Sequence, residues 1–283
     1  MPGKPPAKPS GSLALERHTL DELEIEDERS FRHVGIYTDL KDALLKSGYR
    51  FFVLPPAMSG RWDRALLLNL TFWGAGTVGQ AAAASGTDRG GDVLVDRHIP
   101  ADVVAHVAWH HLAAKALHPN GSPSADALFM GEAIASAFDV YLVGRLLGHA
   151  KDSSFLETQV PAMSDAADAA GLSEDEFEAL VSDIASDPEA AFEDLRQLLF
   201  DATRALVRCA DANEAVEALA RFDEHRFAPL LHRYELSNWV LYARAYVKDP
   251  VASDPAVMAL DTALRGAKVS IDHLAGEWLT RAR

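Results

Sequence analysis

The sequence predicts a predominantly helical α+β protein, with a small N-terminal sheet packed on two apolar helices and a helical C-terminal domain after them. Two observations support this fold class. Short apolar runs bounded by Pro, Gly and Asp fall between residues 31 and 95, as expected for strands separated by turns. After Pro100, apolar residues recur at spacings of three and four, as in helices. Such segregation is typical of α+β folds.

The first 30 residues have the composition of a tail. Residues 1–12 are rich in Pro, Gly, Ser and Lys, and the next segment, LERHTLDELEIEDERS, is strongly charged. A segment of this kind buries little apolar surface. We therefore expect residues 1–30 to be a flexible tail with at most one helical turn.

The expected strands lie in the runs YRFFVLPP, RALLLNLTFW and DVLVD. Between the last two runs, Gly74, Gly76 and Gly79 form a G-x-G-x-x-G pattern, and Asp96 follows at a suitable distance for a ribose-binding acid. However, further glycines interrupt the helix that this nucleotide-binding motif requires, and the chain after Asp96 lacks further β-α units. Turns in a small sheet explain these glycines better.

The helical region begins at Pro100 with ADVVAHVAWHHLAAKAL and breaks at HPNGSPS. Ser124 or Asp126 is expected to cap the next helix, which ends near Gly148. Further helices follow, one of them introduced by a capping box from Ser173 to Glu176. We accordingly expect one domain over residues 31–150 and a helical domain over residues 151–283.

Composition excludes several classes of function. Lys and Arg total 27 against 42 for Asp and Glu, and the net charge of −15 disfavours binding to nucleic acid or anionic lipid. The N-terminus lacks the apolar core of a signal peptide, and no membrane span is expected. The single cysteine, Cys209, cannot form an intramolecular disulfide, so a cytoplasmic location is expected.

The strongest candidate for chemistry is the helix that contains His106, His110 and His111. His106 and His110 are four residues apart, so their side chains share one helix face and can bind one metal ion. Glu132, on the next apolar helix, is a candidate third ligand if the two helices are antiparallel. Asp139 lies two turns further along the same face.

The segments VLVDRHIPADVVAHVAWHH and GEAIASAFD resemble the active-site region of the thermolysin-like gluzincin metallopeptidases, over roughly 50 of the 283 residues. In that family an H-E-x-x-H helix supplies two zinc ligands and a Glu on a following helix supplies the third. The resemblance therefore implies that His106, His110 and Glu132 are zinc ligands. Zn²⁺ also suits an imidazole-rich site better than Fe or Mn.

The sequence departs from the family pattern at Val107. There the family has a Glu that takes a proton from the zinc-bound water, and valine cannot act as a base. Ser136 similarly occupies a position that is often acidic in the family. We therefore expect a zincin-like metal-binding protein that is a catalytically altered or inactive peptidase homologue and binds a peptide or protein partner.

Two alternatives remain open at this point. The first is an active metalloenzyme that uses another base, such as His111 or Asp139. The second is a non-enzymatic helical interaction protein without a metal. The sequence lacks the E-x-x-H motif of di-iron proteins and the G-x-S-x-G motif of serine hydrolases, and Cys209 is a weak candidate nucleophile.

The C-terminal stretch RFDEHRFAPLLHRYELSNWVLYARAYVKD is rich in histidine and aromatic residues. Its spacing fits an amphipathic helix with a polar side, so none of these residues is assigned to catalysis. The residues concerned are His225, His232, Tyr234, Trp239 and Tyr242.

Overall fold

The structure is a computed structural model that describes residues 15–56, 68–69, 91–119, 123–150 and 152–279. The chain forms two compact units, the first from residues 1–25 and 47–99 and the second from residues 26–46 and 100–283. The boundary expected at residue 150 lies inside the second unit. Described strands begin at Glu16, within the segment expected to be a tail.

The first unit contains short strands. They are β1 (Glu16–His18), β2 (Glu24–Glu26), β3 (Phe51–Val53), β4 (Leu68–Asn69), β5 (Asp92–Leu94) and β6 (His98–Pro100). Four form a mixed sheet in the order β1-β3-β5-β4, in which β3 and β5 are parallel and the other neighbours are antiparallel. Strands β2 and β6 form a separate pair.

The three runs expected to form strands contain β3, β4 and β5, whereas β1, β2 and β6 were not expected. Short apolar runs predict β3 and β5, whereas β1 and β2 are mostly charged and depend on their pairing partners. Gly74, Gly76 and Gly79, the residues of the nucleotide-binding pattern, lie outside the described residues.

The second unit is helical. Its α-helices are α1 (Glu28–Phe31), α2 (Gly35–Ser47), α3 (Ala101–Leu117), α4 (Ala125–Leu146), α5 (Ser154–Ala169), α6 (Glu174–Ser186), α7 (Pro188–Leu206), α8 (Ala212–Leu219), α9 (Leu236–Tyr246), α10 (Pro255–Gly266) and α11 (Ser270–Leu274). Short 3₁₀ helices precede and follow some of these, including Ala228–Tyr234, and a π-helical turn spans Ala275–Leu279. The fold class is therefore α+β and predominantly helical, as predicted.

The helix boundaries follow the local signals in the sequence. Helix α3 begins directly after Pro100, and the Ser124 hydroxyl accepts a hydrogen bond from the Ala127 amide at 3.1 Å to cap α4. The capping box from Ser173 to Glu176 is present at the start of α6. These three expectations are confirmed.

Helices α3, α4 and α7 form the core of the second unit. The buried Trp109 ring packs edge-on against Phe138 and against Trp278. At Gly144 of α4, a Cβ atom would lie 2.6 Å from the carbonyl oxygen of Ile184, so glycine permits this close approach. This packing fixes the rotation of α3 and α4 about their axes.

Helix α4 is long and apolar enough to cross a membrane by length and composition, which the sequence analysis did not expect. Within the protein, 83% of the apolar window is buried. The core helices of globular proteins are buried in this way and can be as long and as apolar as a membrane span.

Candidate metal centre and adjoining cavity

Helices α3 and α4 run antiparallel, as the contacts between them show. His110 of α3 lies beside Glu132 of α4, whereas His106, one turn earlier on α3, lies beside Asp139, two turns later on α4. Both histidines occupy the same face of α3, as their spacing of four predicts. The conditional expectation that Glu132 approaches the histidine pair is therefore met.

His106, His110 and Glu132 form what we term the candidate metal centre. One ligand atom from each residue lies within 4.8 Å of the others. The two histidine Nε2 atoms are 3.2 Å apart, and the Glu132 carboxylate oxygen is 3.6 Å from the His110 Nε2. All three side chains are partly buried, at 28–29% exposure.

These distances match what a metal requires. In a tetrahedral zinc site with bonds of about 2.0–2.1 Å, neighbouring ligand atoms are about 3.3 Å apart. The measured separations of 3.2 and 3.6 Å lie on either side of that value. The third pair, His106 and Glu132, lies within 4.8 Å, so binding one ion would bring these two side chains closer together.

The electrostatics of the two histidines differ sharply. Burial opposes the charge of His106, but the carboxylates of Asp139, Glu132 and Asp102 outweigh it and raise the pKa of His106 to about 9. Burial, followed by the charge of His106, lowers the pKa of His110 to about 3. A charged His106 thus donates from Nδ1 to Asp139 and from Nε2 to the neutral His110.

Glu132 lies close to this histidine pair. Its carboxylate oxygen is 3.6 Å from the His110 Nε2, which is beyond hydrogen-bonding distance. A divalent cation bound to both imidazoles and the carboxylate would replace the proton between the two Nε2 atoms.

Asp139 supports the candidate metal centre. Its carboxylate lies 3.3 Å from the His106 Nδ1, an arrangement that directs the His106 Nε2 toward His110 and Glu132. From the sequence, Asp139 was a candidate base, and the position expected to be acidic was that of Ser136. The carboxylate comes instead from one turn further along α4.

The position of the family's general base is apolar in the structure as well as in the sequence. Val107 is 2% exposed and belongs to the core of the second unit. His111, the other base considered, lies on α3 next to His110 but is not one of the three clustered residues.

A cavity of about 430 Å³ adjoins the candidate metal centre. On one side it is lined by the helix pair, through His106, Glu132, Ser136 and Asp139. This volume is within the range of about 300–1,000 Å³ that is usual for small-molecule sites. The open face of the metal centre therefore gives onto a space that can hold a ligand.

The opposite wall comes from residues 233–239. The 3₁₀ helix Ala228–Tyr234 ends there, Glu235 adopts a left-handed conformation with φ of 48°, and α9 begins at Leu236. The lining residues on this wall are Arg233, Tyr234, Glu235 and Trp239. A non-glycine residue in this conformation is uncommon and often marks a functional site.

The expectation of an amphipathic helix through this stretch was wrong at Glu235. The sequence gives little sign of the break, because glutamate is a good helix former. Pro229, which starts the 3₁₀ helix, is a partial signal that could have been used. Tyr234 and Trp239, on either side of the turn at Glu235, both line the cavity, although their spacing in the sequence did not assign them to a site.

Comparisons with known proteins identified no relative of this chain. No protein-family model, no curated protein and no solved structure matches this chain. The functional argument therefore depends on the geometry of the site.

Proposed function

We propose that this chain is a zincin-like metal-binding protein that holds Zn²⁺ with His106, His110 and Glu132. In this proposal it is a catalytically altered or inactive homologue of a metallopeptidase, and its cavity binds a peptide or protein partner. The observation that carries the proposal is the convergence of two Nε2 atoms and a carboxylate oxygen at 3.2 and 3.6 Å.

Three further features support a metal over a purely structural role. The three side chains are partly exposed, which is compatible with entry of an ion. Asp139 orients His106 as carboxylates orient ligating histidines in zinc sites. Two imidazoles and one carboxylate are the donor set of catalytic zinc sites, which bind one further ligand, and two of these residues, His106 and Glu132, line the cavity.

Peptide hydrolysis is not expected from this site. Zinc would supply Lewis acidity when bound, but hydrolysis also needs a general base. Val107 cannot act as one, and Asp139 is engaged with His106. The zinc-loaded protein is therefore expected to leave unstructured peptide substrates intact, and zinc-dependent cleavage lost in an E132Q variant would contradict this part of the proposal.

The test of metal binding is the zinc content of purified, untagged protein after incubation with zinc and removal of the excess. Mass spectrometry of the metal should find about one zinc per chain. The H106A/H110A double variant should retain none. The H111A variant is the matched control, because it removes a histidine from the same helix but outside the centre, and it should retain the wild-type content.

A zinc content at background in the wild-type protein, or equal contents in all three proteins, would contradict the proposal. In that event the better account is the alternative of a helical interaction protein without a metal. The proton shared between His106 and His110 would then be a structural hydrogen bond.

A further inference from the structure

We propose that the cavity beside the candidate metal centre binds the carboxylate group of a small ligand. Arg233 and Ser136 would hold that carboxylate, while a second oxygen group of the same ligand reaches the metal. This inference rests on the proposed function, because the second group requires the metal. A peptide would meet the requirement with its C-terminal carboxylate.

Ser136 is a hydrogen-bond donor that the protein leaves free in the cavity lining. It lies on α4 one turn after Glu132, is 5% exposed and lines the cavity. Among the described residues its hydroxyl has no hydrogen-bond partner, although serines in helices commonly bond to the carbonyl group one turn earlier. Buried polar groups are nearly always hydrogen-bonded, so this hydroxyl is available to a ligand oxygen.

Arg233 supplies a positive charge on the opposite wall. Its guanidinium donates to the side-chain oxygen of Gln159, which is neutral, and among the described residues no carboxylate pairs with it. A guanidinium group has five N–H donors, so this hydrogen bond leaves others for a ligand. Arg233 is half-buried, so solvent screens its charge only in part.

The position of the Arg233 charge is shown by its effect on Tyr234. Burial raises the pKa of the Tyr234 hydroxyl above its usual range, and of the nearby charges Arg233 opposes this rise whereas Asp139 adds to it. One buried phenol therefore lies within reach of both charges. Asp139 is itself 3.3 Å from the Nδ1 atom of His106 in the metal centre. The guanidinium is therefore close enough to the metal centre for one small ligand to contact both.

The carboxylates that line the cavity have partners of their own. Glu132 belongs to the metal centre, and Asp139 pairs with the His106 ring. Glu235 is exposed, so solvent screens its charge, and it accepts a hydrogen bond from the side-chain amide of Asn238.

The cavity therefore has donors to spare, a guanidinium and a hydroxyl, whereas its acceptors are engaged or screened. A ligand that brings acceptor oxygens and a negative charge complements it. A carboxylate does both, and its two oxygens match the planar fork of an arginine.

The experiment compares hydroxamates, which bind zinc through oxygen atoms, with and without a carboxylate group. Succinic and glutaric monohydroxamates are each paired with the alkyl hydroxamate in which a methyl group replaces the carboxylate. Two chain lengths are used because the ligand must span from the metal to Arg233. Calorimetry on the zinc-loaded protein should find that at least one carboxylate compound binds about tenfold more tightly than its methyl partner.

Variants at Arg233 assign the preference to its charge. R233Q should bring the two members of each pair within about twofold and leave the affinity for the alkyl hydroxamate unchanged. R233K keeps the charge but loses the fork, so it should retain about a threefold preference. The matched control is R221Q, which removes an exposed arginine of the 3₁₀ helix Ala220–Phe222, outside the cavity lining, and should keep the tenfold preference.

S136A tests the second donor. It should reduce the preference to about threefold, because the carboxylate loses one hydrogen bond, and it should leave the zinc content unchanged. A preference that stays tenfold in S136A would remove Ser136 from the carboxylate site.

Zinc content is measured on every sample, so the two proposals can fail separately. If zinc is retained but both members of each pair bind equally, the carboxylate site is wrong and the metal site stands. The same conclusion follows if R233Q keeps the preference. If the wild-type protein retains no zinc and binds no hydroxamate, the metal site and the carboxylate site both fail.

Discussion

Two polar clusters among the described residues of the helical unit differ in burial and in how completely their hydrogen bonds are satisfied. The first, which we term the arginine cluster, consists of Arg196, Glu193 and Asp261. The Arg196 side chain is fully buried and makes two hydrogen bonds to Glu193, at 2.6 and 2.8 Å, and one of 3.0 Å to Asp261. The second is the candidate metal centre, where two Nε2 atoms and a carboxylate converge.

The difference distinguishes a structural group from a binding site. In the arginine cluster every guanidinium nitrogen has an acceptor, and the carboxylates are 7% and 15% exposed, so the group has no room for a ligand. In the metal centre the three side chains are 28–29% exposed, and two of them, His106 and Glu132, line a cavity. Complete satisfaction indicates a role in stability, whereas partial satisfaction beside a cavity indicates binding.

The largest expected effect is at the arginine cluster. R196M removes the cation that Glu193 and Asp261 share. Asp261 keeps its ion pair with Arg265, but Glu193 keeps only the neutral Gln197 amide, so the free energy of unfolding should fall by about 3 kcal/mol. Urea denaturation followed by circular dichroism measures this change. R226M, which removes a more exposed pair with Asp194, is the control and should cost about 1 kcal/mol or less.

Zinc should stabilise the protein through the candidate metal centre and independently of the arginine cluster. At a free zinc concentration one hundred times the dissociation constant, the free energy of unfolding should rise by about 2.7 kcal/mol, because the ion binds only the folded state. The same denaturation measurement, with and without zinc, tests this. The R196M protein should show the same increment and H110A none; an increment that persists in H110A would place the zinc elsewhere.

The carboxylate of Asp139 should tune zinc affinity without being a ligand. D139N keeps an oxygen that can accept from His106 but loses the charge that orients and polarises the ring, so zinc affinity should fall by about tenfold. Competition with a chromophoric chelator measures it. S136A, on the same cavity wall, should leave the affinity within about twofold, and an equal loss in both variants would mean that the Asp139 pairing is not specific.

Much of the candidate metal centre could be predicted from the sequence. The spacing of His106 and His110 fixes a shared helix face, and Glu132 on the next apolar helix could be named as the third ligand on the condition that the two helices are antiparallel. The sequence also showed that Val107 cannot be a base. Local periodicity was sufficient because these relationships stay within one helix or between consecutive helices.

The remaining features depend on contacts between distant segments. Arg196 and Asp261 are 65 residues apart, and no local pattern pairs them. The cavity wall at Tyr234 and Trp239 depends on one left-handed residue, Glu235, that helix propensity does not reveal. Strands β1 and β2 are likewise polar segments whose pairing partners determine their structure.

The smallest expected effect concerns Asp102, one turn before His106 on α3. Burial, and then the charge of Asp139, raise the pKa of Asp102 to about 7 in the folded protein, above the value of about 3.9 for an unfolded chain. Between about pH 4 and pH 7 the unfolded state loses this proton while the folded state keeps it. The contribution of Asp102 to stability is therefore present below about pH 4 and falls as the pH rises to 7.

D102N removes this dependence, so the stability of the variant relative to wild type should increase from pH 4 to pH 7 and then stay constant. Asp102 is partly exposed, so we expect a change of about 1 kcal/mol, less than the full pKa difference would give at about 1.4 kcal/mol per unit. Metal-free protein in chelator, denatured by urea at each pH, provides the measurement. D175N, which removes an exposed first-turn carboxylate from α6, controls for the loss of a charge at a helix start. The opposite outcome is a stability of D102N, relative to wild type, that falls between pH 4 and pH 7. It would show that the folded protein stabilises Asp102 as the anion. The carboxylates around His106 would then repel one another less than their positions imply.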